Sequence, residues 1–334
     1  MMVLLTGGTG SVGQEVAKRL ARGGHLVRVV GRRPGQSIPG AEYRSCDVTD
    51  FDALIREMRG CNAVIHLAAL PTPLSGPAQE VFRVNCHGSF AVYQAAAELG
   101  IRRVVCASSI NALGFNFGVK TFPIRYLPLD EEHPTHTTDA YSFSKQVVEE
   151  VAAYFWRRAG ISGCCLRLPW VVNATPEAQA RVRRTMEQSV PTLREWFRLP
   201  QAEGMARARE VIDSKEQARS SRMEEYPADY RHVGELRHAA IMEGYSNFFA
   251  QLDARDSAQA FEKALLGSYE GSQPLFVNDS VNSCLLDSRE LARLFYPGAE
   301  IRRSLSGPAS LVSIERARRL IGFEPEYTID RILG

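Results

Sequence analysis

A chain of 334 residues can form one large domain with a smaller lobe, and 45% apolar with 23% charged residues is ordinary for a globular protein. A formal net charge of +2 creates no field to draw nucleic acid or an anionic membrane. The longest apolar runs are too short to span a bilayer.

An apolar strand is expected from Met2, so no leader peptide is expected. The seven cysteines (Cys46, Cys61, Cys86, Cys106, Cys164, Cys165 and Cys284) form no C-x-x-C pair. They are expected to be reduced core thiols of a cytoplasmic protein with no metal site.

Met2 to Leu5 is a short, wholly apolar run, as a buried parallel strand requires. Thr6-Gly7-Gly8-Thr9-Gly10-Ser11-Val12-Gly13 follows, and then Val12, Val16 and Leu20 recur at helical spacing. The glycines therefore lie between a strand and a helix, the context in which G-x-G-x-x-G cradles a dinucleotide. Missing side chains let the backbone approach a pyrophosphate, whose charge meets the helix N-terminus.

A second strand, Leu26 to Val30, ends in Gly31-Arg32-Arg33. No carboxylate follows to read a ribose hydroxyl, and two guanidiniums are at hand for a 2′-phosphate, so NADP is favoured over NAD. Two solvated surface arginines are the competing reading. Asp47, at the start of Asp47-Val48-Thr49, stands where it would meet the adenine amino group. Ala63 to Ala69, a helix over 78–99 containing Asn85, and Val104 to Ala107 ending in Ser108-Ser109 continue the alternation. The pattern implies an α/β fold: a Rossmann-type doubly wound parallel sheet, with ligands at the carboxyl ends of its strands.

Tyr141-Ser142-Phe143-Ser144-Lys145 places a phenol and an ammonium four residues apart, on one face of an expected helix. A lysine so placed should lower the tyrosine pKa and fit it for proton transfer near neutrality. Alone the pattern is common by chance, and a half-buried tyrosine beside a solvated lysine is its bland reading.

These pieces, in this order, resemble the extended short-chain dehydrogenase/reductase superfamily of the NAD(P)-dependent epimerase/dehydratase type. The matching residues are the glycine loop, Asp47-Val48, His66-Leu67-Ala68-Ala69, Asn85, Ser108-Ser109, Tyr141 with Lys145, and Arg167-Leu168-Pro169. The resemblance covers about 1–173 and resumes near 253–260 and 314–325. It implies that Tyr141 is the general acid/base and that Lys145 holds the nicotinamide ribose and lowers the Tyr141 pKa. Ser109, preferred to Ser108 for its distance from Gly114, would bind the reacting oxygen. Asn85 would support the active-site helix or a proton-relay water. Cofactor contacts fall to Gly7, Gly10, Ser11, Val12, Gly13, Arg32, Arg33, Asp47, Val48, Leu67, Ala68, Ala69, Tyr141, Lys145 and Pro169.

The long segment 111–138 runs into the catalytic helix, so part of it should line the substrate pocket. Asn111 and Phe115 are candidates, with Trp170. Glu131, Glu132 and His133 are adjacent and do not easily converge on a metal, and the resemblance implies a packing role for this acidic stretch. Nucleotide-sugar epimerases usually carry Asn where this chain has Trp170.

Residues 176–244 read as a helical insertion of two or three helices, broken near Pro191, Pro200 and Pro227. The bland reading is a solvated lobe or dimer contact; the sharper one is a lid in which Trp196, Phe197, Arg231 or His232 reaches inward. The expected division is a cofactor core over 1–173 and a substrate lobe over 174–334, with 247–278 returning to the core.

The leading expectation is hydride transfer between NADP or NAD and a hydroxyl/carbonyl carbon of a small polar substrate, a sugar or sugar derivative. The alternatives are a nucleotide-sugar epimerase or dehydratase with tightly held NAD, and a non-catalytic cofactor-sensing protein. The sequence leaves the oligomeric state open; the resemblance implies that a homodimer, if formed, uses the helices at 78–99 and 140–158, with Phe82, Phe90, Tyr154, Phe155 and Trp156 as candidate contacts. No nucleic-acid or membrane partner is expected.

Overall fold

The computed structural model describes residues 1–220 and 238–333. Pro227, Arg231 and His232 lie outside the described residues. The strands are β1 (Met2–Thr6), β2 (Leu26–Gly31), β3 (Glu42–Ser45), β4 (Ala63–His66), β5 (Val104–Ser109), β6 (Tyr126–Leu127), β7 (Gly163–Leu168), β8 (Trp170–Val172), β9 (Gln251–Asp253), β10 (Ser272–Phe276) and β11 (Glu300–Ile301). The helices of the first half are α1 (Ser11–Arg22), α2 (Phe51–Met58), α3 (Ala78–Phe82), α4 (Gly88–Glu98) and α5 (Ala140–Ala159). Those of the second half are α6 (Pro176–Arg198), α7 (Gln201–Ser220), α8 (Ala239–Ser246), α9 (Ala254–Leu266), α10 (Ser288–Phe295), α11 (Glu315–Ile321) and α12 (Ile329–Leu333).

Seven parallel strands form one sheet in the order β10-β7-β5-β4-β1-β2-β3. The chain winds outward from β1 to β3, then returns to β4 on the other side of β1. That reversal opens a crevice at the carboxyl ends of β1 and β4, where such sheets bind ligands.

Side chains alternate across β1. Val3 and Leu5 pack with Val16, Leu20 and Phe261 from α1 and α9, while Leu4 packs on the opposite face with Leu54, Val92 and Phe155. Both faces are covered, which explains why the strands are continuously apolar. Pro274, which has no N–H to donate, sits in the edge strand β10.

The insertion helices build a second core. Leu193 and Trp196 of α6 and Val211 of α7 pack with Phe248, Phe249 and Tyr296. Trp196 is buried there and Phe197 packs against the same cluster, so neither serves as a lid residue. Pro191 does not break its helix, since α6 runs unbroken from Pro176 to Arg198. Tertiary packing of Ser189 and Leu193 around it overrides the local preference. Pro200 does separate α6 from α7.

All seven cysteines are free and buried. No described helix is long and apolar enough to cross a membrane. Glu131 accepts a hydrogen bond from the Phe276 amide at 2.8 Å, and His133 accepts one from the Arg125 amide at 3.0 Å. Both therefore act in packing, and no group of metal-ligating side chains occurs among the described residues.

Candidate active site

The cleft at the carboxyl ends of the strands has a volume of about 850 Å³ and runs from β2 to the insertion helices. Gly7, Gly10, Ser11, Val12 and Gly13 form its floor. A Cβ on Gly13 would lie 2.6 Å from the Gly8 Cα, so any side chain there pushes α1 off the loop. A Cβ on Gly10 would meet nothing closer than the Gly7 oxygen at 3.5 Å, because that glycine faces open space in the cleft. The loop therefore needs glycine at 13 to fold, while its empty cradle at 10 fits a close-lying pyrophosphate.

At the outer end of the cleft lie Arg32, Asp47 and Val48. Burial pulls the Asp47 carboxyl upward, but hydrogen bonds from the Thr49 amide and hydroxyl, with Arg32 and Arg83 nearby, outweigh it and hold the carboxyl low. Arg33 departs from expectation. Its side chain is not part of the cleft wall, and its carbonyl accepts a hydrogen bond from the Tyr43 hydroxyl, which also donates to the Gly31 carbonyl.

The catalytic candidates converge further in. Asp139 caps α5, accepting from the Ser142 amide at 2.8 Å, so Tyr141 stands in the first turn of that helix. Ser109, at the end of β5, lies near enough to the Tyr141 hydroxyl to act on its pKa, and its own hydroxyl accepts from the Asn111 amide at 3.1 Å. Lys145 donates to the Ala107 carbonyl at 3.0 Å, with its nitrogen 5.7 Å from the Tyr141 ring centre. Ser108 is engaged elsewhere: it donates to Glu149 at 2.6 Å, and the same carboxylate takes a bidentate pair from the buried Arg167 at 2.9 and 2.8 Å.

Burial dominates the electrostatics here. It pushes the Tyr141 phenol up to about 12, against the opposing effect of the nearby Ser109 hydroxyl. It pushes Lys145 down to about 8. The expected depression of Tyr141 by Lys145 is absent, because desolvation favours the neutral form of each group and the ammonium is turned toward a carbonyl.

A buried network fixes the neighbouring loop. Thr6 Oγ1 accepts from the Leu67 and Ala68 amides at 3.1 Å each, so its own proton points to His66 Nδ1, 2.7 Å away. His66 must then carry its proton on Nε2, which faces Ser89 Oγ at 3.0 Å, and Ser89 donates to the Asn85 carbonyl at 2.6 Å. Burial drives the His66 pKa down to about 3, keeping the ring neutral. Asn85 sits in a locally widened helical turn at Arg83–His87. Its side chain accepts from the Leu70 amide at 2.8 Å and donates to Ser144 at 2.9 Å, tying the loop after β4 to α5.

Leu67, Ala68, Ala69, Pro169, Asn111 and Trp170 also line the cleft. Phe115 does not. It is buried among Phe122, Tyr245 and Phe248, because the chain turns it into the second core. Sequence reasoning missed Asn116, Arg181 and Lys215, which also line the cleft, and Gln251 of β9. They come from segments far apart in the chain and carry no local motif.

The match to the family model "NAD dependent epimerase/dehydratase family" spans residues 3–219. The chain belongs to that family, within the extended short-chain dehydrogenase/reductase superfamily. It is 29% identical over 181 residues to a uronate dehydrogenase of Pseudomonas syringae pv. tomato, covering 54% of this chain and 62% of that one. It is 31% identical over 194 residues to the L-arabinose 1-dehydrogenase (NAD(P)(+)) of Haloferax volcanii, covering 56% and 73%. The chain spans 62% and 59% of the length of the two uronate dehydrogenases it matches. A short-chain dehydrogenase/reductase superfamily protein from Agrobacterium tumefaciens, solved with bound NAD, superposes with a TM-score of 0.63 at 25% identity, covering 100% of this chain and 95% of that one.

Two outcomes follow for this family member. Gly13→Ala lowers the unfolding midpoint by several degrees, whereas Gly10→Ala leaves it unchanged and weakens nucleotide binding at least tenfold, as read by calorimetry with both nucleotides. Lys145 titrates near 8 in the fold against 10.5 for an ordinary lysine. Below pH 8 its buried charge costs stability in full, and the cost fades as pH rises toward 10.5. Lys145→Met in nucleotide-free protein therefore gains about 1–3 kcal/mol at pH 7 in urea unfolding and loses that gain by pH 10.5.

Proposed function

We propose that the protein is an NAD(P)-dependent dehydrogenase acting on a hydroxyl/carbonyl carbon of a small sugar or sugar derivative. One observation carries this reading: Ser109, Tyr141 and, one turn along α5, Lys145 meet in the same cleft as the glycine cradle. The uronate and L-arabinose dehydrogenases among the relatives support a sugar as substrate.

The nicotinamide, when bound, supplies or accepts the hydride. Tyr141 gives or takes the proton at the reacting oxygen, and Ser109 holds that oxygen. Lys145 would hold the nicotinamide ribose, and the Gly10 cradle the pyrophosphate. Arg32, with Arg83 close to Asp47, supports acceptance of the NADP 2′-phosphate. Thr6, His66 and Asn85 position the loop against which the cofactor would lie, and none of them transfers a proton.

The stacked pairs Phe82–Phe143 and Phe90–Tyr154 leave an exposed aromatic strip on α3, α4 and α5, which supports a homodimer through this face. Phe155, by contrast, is wholly buried and belongs to the core. Phe90→Glu combined with Tyr154→Glu halves the sedimenting mass if that face is the contact.

The deciding assay incubates the purified protein with a hexuronate or L-arabinose and NADP+ or NAD+, following reduced cofactor by absorbance. Stoichiometric reduction supports a dehydrogenase. NAD+ that survives purification, with no net reduction, supports a nucleotide-sugar epimerase instead. A phenol held near 12 is protonated at pH 7, so the base form grows tenfold per pH unit. Oxidation should therefore accelerate from pH 7 to 10, and reduction should not. Tyr141→Phe should lower kcat by about 10²–10⁴-fold with nucleotide binding retained.

A further inference from the structure

Strands β8 and β9 pair in parallel, with Trp170 opposite Gln251. In-register neighbours on paired strands project from the same face. Both residues line the cleft. Trp170 is 37% exposed although it is among the largest side chains of the chain, and the Arg181 guanidinium lies 5.3 Å from its ring centre, steadying the indole. Gln251 is 5% exposed, and its Oε1 is shielded from solvent without a hydrogen-bond partner among the described residues. A buried amide oxygen left unpaired is costly, and native structures rarely keep one without a use.

We propose that this ribbon is the sugar-reading wall of the cleft: Trp170 offers an apolar platform to the C–H face of a free polyhydroxylated ring, and the Gln251 side-chain amide hydrogen-bonds a ring hydroxyl remote from the reacting carbon. The inference rests on the dehydrogenase reading and names its substrate class, a monosaccharide or sugar acid presented without a nucleotide. The pairing suits that class. An aromatic face takes the apolar side of a sugar ring, while a desolvated acceptor demands a hydroxyl and rejects the analogue that lacks it. An indole at position 170 offers a diphosphate only one N–H donor.

The test compares wild type with Gln251→Met, which keeps the volume and removes the acceptor. With whichever of the hexuronate and L-arabinose is turned over, KM should rise ten- to a hundredfold while kcat changes less than threefold, because a contact remote from the reacting carbon binds ground state and transition state alike. Among monodeoxy analogues of that sugar, one should lose the same factor with wild type and lose nothing further with the variant. Without substrate, Gln251→Met should unfold at or above the wild-type temperature, since it removes an unpaired polar group.

An unchanged KM, or a lower unfolding temperature with kcat and KM falling together, overturns the inference and leaves the dehydrogenase reading intact. Wild-type protein that reduces neither NAD+ nor NADP+ with either sugar overturns the dehydrogenase reading and takes this inference with it.

Discussion

The site depends on how α5 is seated on the ends of β5 and β7. Glu149 of α5 accepts both arms of the Arg167 guanidinium from β7 and the Ser108 hydroxyl from β5, in a setting where Arg167 is almost wholly buried. A charge pair in that setting holds its geometry firmly, since removing either partner leaves an uncompensated buried charge. One turn back along the helix, Lys145 donates to the Ala107 carbonyl, and Asp139 fixes the first turn. Together these contacts set the height of Tyr141 against Ser109. They also explain why, of two adjacent serines lining the cleft, the first is engaged by Glu149.

Desolvation then determines the chemistry. Tyr141 and Lys145 are both buried, and burial moves each toward its neutral form. A phenol that holds its proton until strongly alkaline pH is present at neutral pH almost wholly in its proton-donating form, and the phenolate base is scarce there. The chain Thr6–His66–Ser89–Asn85 adds rigidity without adding charge, because His66 remains neutral throughout the physiological range. The loop after β4 is thereby organised in advance of any ligand, at the point where the strand order reverses.

The second lobe closes the cleft from the other side. Lys215 of α7 donates to Asn116 Oδ1 at 3.1 Å and to Ser246, and the buried Arg219 donates to the Phe115 and Asn116 carbonyls. The insertion helices are thus bonded to the segment that leads into α5. The packing that moves Phe115 out of the cleft is the same packing that brings Asn116 and Lys215 into it.

The sequence by itself determined the doubly wound sheet, the glycine turn between β1 and α1, and the placing of Tyr141 and Lys145 on one helix. Each rests on local spacing: apolar runs of strand length, glycines between strand and helix, and residues four apart on one helical face. Tertiary structure alone decided the rest. It placed Arg32 in the cleft and Arg33 outside, carried α6 straight through Pro191, and buried Trp196 and Phe115 in the second core. It also put Gln251 beside Trp170, although 81 positions separate them in the chain. Contacts of that kind arise when distant segments pack, and no periodicity within a segment records them.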